Sequence, residues 1–158
     1  MNLKAHEWIQ AVAKKLSRGY ILAVDYGFSR DVFYAPERTQ GTLQSYAKHR
    51  GVASPLTHVG AADITAHVDW TSVAACAETC GLTVAGFTDQ HHFITGVISE
   101  SSEFESADAA TRRTLQTLLH PEFLGTKFQF LALAKGTSET RCLSGFKFGR
   151  EPRAALDL

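Results

Sequence analysis

The chain has 158 residues, which is the size of a single domain or less. Lysine plus arginine and aspartate plus glutamate both number 16, and this zero net charge argues against a nucleic-acid binder, which usually carries a basic excess. No apolar run reaches the roughly 20 residues of a membrane span, and the first residues lack the apolar stretch of a secretory signal.

The first predicted element is an amphipathic helix over 6–19, because its apolar residues recur at i, i+3, i+4 and i+7. The near-continuous apolar run at 20–24 follows and predicts a strand buried on both faces, as in a parallel sheet. Asp25 and Tyr26 come at its carboxyl end, which is where ligands bind in open α/β sheets.

Residues 28–62 show no clear hydrophobic period. A loop of this length inside a domain is usually functional or disordered. Its aromatic and histidine content predicts an ordered, packed loop, with one short helix at 43–49. That helix would place Tyr46 and His49 on one face.

The rest of the chain alternates helices and strands. We predict a helix at 69–81 with Asp69 as its N-cap, a strand at 82–88, a short helix at 91–98, a polar connector at 99–108, a helix at 109–120 that ends near Pro121, and a strand at 127–136. Residues 137–158 are expected to form a short strand or to fray. This order predicts an α/β layered sheet whose last two strands pair antiparallel.

The segment DITAHVDW, residues 63–70, places two carboxylates, Asp63 and Asp69, around the imidazole of His67. Three ligands are fewer than the four of a structural zinc site, and no matching nucleophile accompanies them, so a metal site and a nucleophilic triad are both disfavoured. Asp69 is explained by its role as a helix N-cap. Asp63 and His67 remain as candidates for a chemical role.

Five segments in a fixed order carry a family resemblance. They are ILAVDYG (21–27), ERTQGTLQSYAKHR (37–50), PLTHVGAADITAHVDW (55–70), GLTVAGFTDQHHFI (81–94) and HPEFLGTKFQFLALAKG (120–136). Together they span nearly the whole chain, and the specific combination is GTL-x-x-Y-x-x-H followed by DITAHVD. The sequence resembles the C-terminal part of the MidA family of class I S-adenosylmethionine-dependent methyltransferases.

The resemblance implies the C-terminal part of a Rossmann-like, seven-stranded methyltransferase sheet over residues 1–136. Strands five, six and seven would be 20–24, 82–88 and 127–135, with the seventh antiparallel. The cofactor would be S-adenosyl-L-methionine and the substrate a protein arginine, because the family includes a mitochondrial enzyme that dimethylates an arginine of a complex I subunit during assembly. The compartment would be the cytoplasm, or the mitochondrion in a eukaryote.

The resemblance also implies that the site residues of this chain act on the substrate side. The candidate catalytic residues are Asp63, His67 and Asp25, and the candidate substrate-binding residues are Tyr26, Tyr46 and His49. Carboxylates bind a guanidinium through paired hydrogen bonds, and an imidazole or a carboxylate can accept the proton that an arginine nitrogen loses.

The cofactor half of such an enzyme has no counterpart here. The chain contains no Gly-x-Gly, and nothing matches the first four strands, where the family binds its cofactor through a glycine-rich turn. We therefore predict no cofactor-binding and no metal-binding residues, and activity only when a cofactor half is present in a longer or partner chain. Strand 20–24, lacking its neighbour, would be an open apolar edge through which the chain self-associates. The alternative is a non-catalytic fragment or interaction module that does not bind the cofactor alone.

Overall fold

The computed structural model of the chain describes residues 3–48, 50–137 and 143–158. These residues contain six α-helices and seven β-strands. The helices are α1 (Leu3–Lys15), α2 (Arg30–Phe33), α3 (Trp70–Thr79), α4 (Gln90–Ile98), α5 (Ala109–Leu119) and α6 (Pro152–Ala155). The strands are β1 (Gly19–Phe28), β2 (Gln44–Ala47), β3 (Arg50–Val52), β4 (Asp63–Thr65), β5 (Val68–Asp69), β6 (Thr83–Asp89) and β7 (Phe128–Lys135). There are also 3₁₀ helices at Ser102–Ser106 and Ser144–Phe146 and a π-helical turn at Pro121–Gly125. Within these ranges no helix has the length and apolar character needed to cross a membrane.

Four strands form a mixed sheet in the order β5-β1-β7-β6. β7 runs antiparallel to both β1 and β6, which confirms the predicted pairing of the last two strands. β5 runs parallel to β1 and pairs with it only at Gly27 and Phe28. The rest of that edge of β1, residues 19–26, has no strand partner in the described part of the chain. The architecture is therefore a mixed α/β fold with one central strand left open.

The hydrophobic core lies between one face of this sheet and the helices α1 and α3. Ile9, Leu131, Leu133 and Leu156 are completely buried there, and burial of a side chain of this size contributes about 1.5–3 kcal/mol. Leu156 follows α6, in the tail that the sequence predicted to fray. That prediction is wrong for 143–158, because an apolar side chain near the end of the chain enters the core.

The opposite face of the sheet is covered over β6 and β7. Phe93 of α4 stacks on Phe130 of β7 with 4.1 Å between ring centroids. A Cβ at Gly86 would lie 2.4 Å from the ring of Phe146, so this position has room only for glycine. Residues of the predicted tail thus pack on both faces of the sheet, since Phe146 lies here and Leu156 lies in the core.

The same face is largely open over β1, which corrects the prediction of a strand buried on both sides. Tyr20, Leu22 and Val24 are 43%, 52% and 44% exposed, whereas Ile21 and Ala23 pack against the core. A continuous apolar run shows that both faces favour burial, but it does not show what covers each face. Here the described helices cover only one of them well.

A second, small antiparallel sheet in the order β3-β2-β4 lies where the sequence predicted a loop with a helix at 43–49. That helix is wrong. Ser45 is buried between the exposed Gln44 and Tyr46, which is the alternation of a strand. Tyr46 therefore shares no helical face with His49, which lies outside the described residues. The pairing of β2 with the distant β4 decides the structure of this segment.

Candidate active site

A cleft of about 980 Å³ opens between the carboxyl end of β1, the small sheet and the start of β7. Its lining residues are Tyr26, Gln44, Tyr46, Lys48, Asp63, Ile64, Thr65, Ala66, His67 and Lys127. Four of the six candidate site residues are in this set: Tyr26, Tyr46, Asp63 and His67. The tertiary structure therefore gathers side chains that come from three separate segments of the chain.

Aromatic neighbours hold the imidazole of His67 in the cleft. It stacks on the ring of Phe28 with 4.8 Å between centroids and 18° between planes, and it meets Tyr26 edge-on at 6.5 Å. The backbone N–H of His67 donates to Oγ1 of Thr42 at 3.3 Å. The guanidinium carbon of Arg38 lies 4.4 Å from the centroid of the same Phe28 ring. The imidazole is thus oriented and half-buried.

The carboxylate of Asp63 is exposed on β4. In the small sheet, Asp63 stands directly opposite Tyr46, whose hydroxyl donates to Oε1 of Gln44 at 2.5 Å. Tyr26 lies on the other side of the cleft and packs against Phe128 at 4.2 Å between centroids. A carboxylate together with aromatic rings matches a planar cation, which forms paired hydrogen bonds with the first and stacks on the second.

Two of the carboxylates that the sequence singled out lie elsewhere. β1 continues to Phe28, so Asp25 is inside the strand and faces away from Tyr26. Its Oδ1 accepts the backbone N–H of Tyr26 at 2.7 Å, and Asp25 does not line the cleft. Asp69 is the N-cap of α3, as predicted, and accepts the backbone N–H of Ser72 at 3.0 Å. The sixth candidate, His49, lies outside the described residues.

Two lysines of the cleft were not predicted from the sequence. Lys48 follows β2 and has a positive φ of 50°, a turn conformation that is uncommon for residues other than glycine. Lys127 lies just before β7. Both lie inside segments that carry the family resemblance, 37–50 and 120–136, but nothing in those segments marks either lysine for a role. With Asp63 they give the cleft two cations and one carboxylate.

The turns that lead from β1 and from β6 into a helix, both in the described part of the chain, have no open glycine cradle. β1 leads to α2 through Ser29, and at Gly27, near the end of the strand, a Cβ would lie against Nε1 of Trp70, so that side chain occupies the space. β6 passes from Asp89 directly into α4 without a glycine. Neither turn allows the close backbone approach that such sheets use to bind a nucleotide-like ligand. Nor does any group of three or more histidine, cysteine, aspartate or glutamate side chains come together here as metal ligands within the described ranges.

Comparison with solved structures gives the same fold. Two crystal structures of one superfamily from Burkholderia thailandensis match with TM-scores of 0.83 and 0.80, at 26% and 27% identity. They cover 96% and 92% of this chain, which spans 40% of each of theirs. The first of them is bound to S-adenosyl-homocysteine.

Comparison of sequences gives the family. The mitochondrial protein arginine methyltransferase NDUFAF7 homolog of Drosophila melanogaster is 28% identical over 145 residues, which is 85% of this chain and 31% of that protein. The chain thus spans about a third to two-fifths of the length of these relatives. The model of an S-adenosyl-L-methionine-dependent methyltransferase family matches residues 1–88, more than half of the chain. This chain therefore belongs to that methyltransferase family, and its relatives place it with the MidA type.

Proposed function

We propose that this chain supplies the substrate-side part of an S-adenosylmethionine-dependent methyltransferase that acts on protein arginine. The observation that carries the proposal is the cleft, in which Asp63, His67 and two tyrosines meet. Family membership supports methyl transfer, and the name of the Drosophila relative supports arginine as the acceptor. Asp25, which faces away from the cleft, has no place in this proposal.

The candidate residues of the cleft each have a role in binding or deprotonating a guanidinium. The carboxylate of Asp63 pairs with the guanidinium through charge-assisted hydrogen bonds. Tyr26 and Tyr46 offer ring faces on which the planar cation stacks. His67, held by Phe28, accepts the proton that the nitrogen loses when it gains a methyl group.

We also propose that a cofactor-binding part outside these residues completes the sheet. On this assignment β1, β6 and β7 are strands five, six and seven of a seven-stranded methyltransferase sheet, and residues 1–136 are the C-terminal part of that domain. The order β1-β7-β6 and the antiparallel β7 support it. The unpaired edge of β1 at 19–26 and its exposed apolar face are the surface that the missing part would cover.

Calorimetric titration with S-adenosyl-homocysteine tests this division. We expect no binding at micromolar ligand by the 158 residues alone, because neither strand-to-helix turn offers a cradle for it. A fusion of this chain to the remaining residues of the Burkholderia relative should bind the ligand and methylate protein arginine, detected by mass spectrometry. Micromolar binding by the chain alone would contradict the division, and a folded fusion that binds ligand without transferring methyl groups would contradict the proposed activity.

An interaction module without catalysis is the second candidate function. The edge of β1 at 19–26, which has no strand partner among the described residues, favours it. On this reading, the same edge binds a partner protein, and no cofactor is involved. The fusion experiment separates the two functions, since only the enzyme predicts methylated arginine.

The open strand edge also predicts that the isolated chain self-associates. Light scattering should report a dimer or larger species, because Leu22 and Val24 expose apolar surface beside an unpaired edge. Replacing both by lysine should return the chain to a monomer, since a charged edge resists pairing. Leu56→Lys is the control, because Leu56 is 79% exposed and belongs to no strand. A wild-type monomer that melts in one sharp transition would count against the prediction.

The acceptor protein and the compartment are proposals that rest on the same family relationship. The resemblance to the MidA family points to a subunit of respiratory complex I as the acceptor, in the cytoplasm of a bacterium or in the mitochondrion of a eukaryote. The Drosophila relative is named as a mitochondrial protein. A methylated arginine in a complex I subunit that disappears when this gene is deleted would support this acceptor.

A further inference from the structure

β4 lines the cleft in a different pattern from the neighbouring strand β2. From β2 and the turn after it, alternate residues line the cleft: Gln44, Tyr46 and Lys48. This is the pattern of a strand that presents one face. From β4 onward, five consecutive residues line it, from Asp63 to His67. Successive side chains of a strand point to opposite faces, so a cleft that touches all of them runs along the edge of the strand.

This edge is available for pairing. β4 is the last strand of the small sheet and pairs only with β2 among the described residues. All three of its residues are exposed, and Ile64 is 58% exposed. An unpaired edge presents a row of backbone N–H and C=O groups, which is a template for another extended chain. The three residues of β4 offer about 10 Å of such template.

The two lysines of the cleft favour a bound polypeptide that has acidic residues on both sides of its centre. Tyr46 stands opposite Asp63, which places Lys48 beyond the Asp63 end of β4. His67 meets Tyr26, and Tyr26 is paired with Phe128, which places Lys127 toward the other end. A polypeptide lying along β4 would therefore pass between two lysines, with Asp63 facing it from the strand itself.

We propose that the protein substrate binds as an extended segment that adds a strand to the free edge of β4, with acidic residues on both sides of its target arginine. The inference rests on the proposed function, because it names how the acceptor protein reaches the cleft. Backbone hydrogen bonds to β4 supply affinity, and Lys48 and Lys127 select the acidic flanks. Asp63 receives the arginine.

Blocked nine-residue peptides with a central arginine test this on the full 158-residue chain, by fluorescence anisotropy without cofactor. Peptides with aspartate on both sides should bind at least about tenfold more tightly than peptides with lysine there. N-methylation removes backbone donors, and in a paired strand only alternate residues direct their N–H to the partner. Methylating every second residue in one register should therefore weaken binding about tenfold or more, while the other register leaves it unchanged.

Variants of the chain complete the test. Lys48→Gln and Lys127→Gln should each reduce the preference for aspartate, whereas Lys14→Gln on the exposed surface of α1 should not. Equal binding of the two N-methylated registers, or no binding by any peptide, overturns strand addition. Register-dependent binding of peptides that the active fusion never methylates would leave strand addition standing and overturn the proposed function. If the fusion methylates the arginine of peptides N-methylated in either register equally well, the proposed function stands and strand addition is overturned.

Discussion

Asp63→Asn is expected to lower kcat/KM for arginine methylation about 10- to 100-fold in the fusion that carries a cofactor-binding part. The amide keeps the shape of the side chain but loses the charge that pairs with a guanidinium, and a hydrogen bond to a charged group contributes about 1.5–3 kcal/mol. Folding should change by less than about 0.5 kcal/mol, because Asp63 is exposed on a short edge strand. Initial-rate assays and urea unfolding of the same preparations measure the two effects.

Asp69→Ala is the matched control for Asp63, six residues away in the same segment. It removes the acceptor for the backbone N–H of Ser72, so it should cost about 1 kcal/mol of stability and leave the activity of the folded protein nearly unchanged. His67→Gln should lower activity as Asp63→Asn does, and the Phe28 contact predicts a modest loss of stability as well. If Asp63→Asn costs stability and activity in equal measure, Asp63 has a structural role.

Leu133→Ala is expected to lower the free energy of unfolding of the chain by about 2–5 kcal/mol. Leu133 is completely buried on β7, between Ile21 of β1 and Val84 of β6, so the truncation leaves a cavity that the paired strands cannot close. Leu56→Ala makes the same chemical change at a 79% exposed position and should cost less than about 0.5 kcal/mol. Urea unfolding at equal protein concentration measures both variants, and a loss below about 1 kcal/mol for Leu133→Ala would mean that β7 is not central to the core.

The regular elements of the main sheet could be predicted from the sequence. The helix over 69–81 has an aspartate N-cap and a glycine after it, and the structure has α3 at Trp70–Thr79 with Asp69 as its cap. The strands at 82–88 and 127–136 are apolar runs of strand length between turn residues, and they correspond to β6 and β7. Short-range periodicity is sufficient for these elements, because their local preference and their tertiary environment agree.

The sequence misled where a distant partner decides the structure. Residues 43–49 have no strong local preference, and β2 forms at Gln44–Ala47 because β4 pairs with it. Residues 143–158 form only one short 3₁₀ helix and one short α-helix, yet Phe146 packs at Gly86 and Leu156 enters the core. An apolar run at 20–24 predicts burial on both faces, but exposure depends on which elements lie above each face.

The segment DITAHVDW was recognisable in the sequence, and so was the role of Asp69, since an N-cap is a local interaction within one turn of helix. The family resemblance also came from the sequence, because it rests on the order of short motifs. Only the tertiary structure turned Asp25 away from Tyr26 and brought Asp63, His67, Tyr46 and Lys127 to one cleft. The reason is physical: which side chains meet depends on strand register and on pairing between distant segments, and neither is encoded in any local stretch of residues.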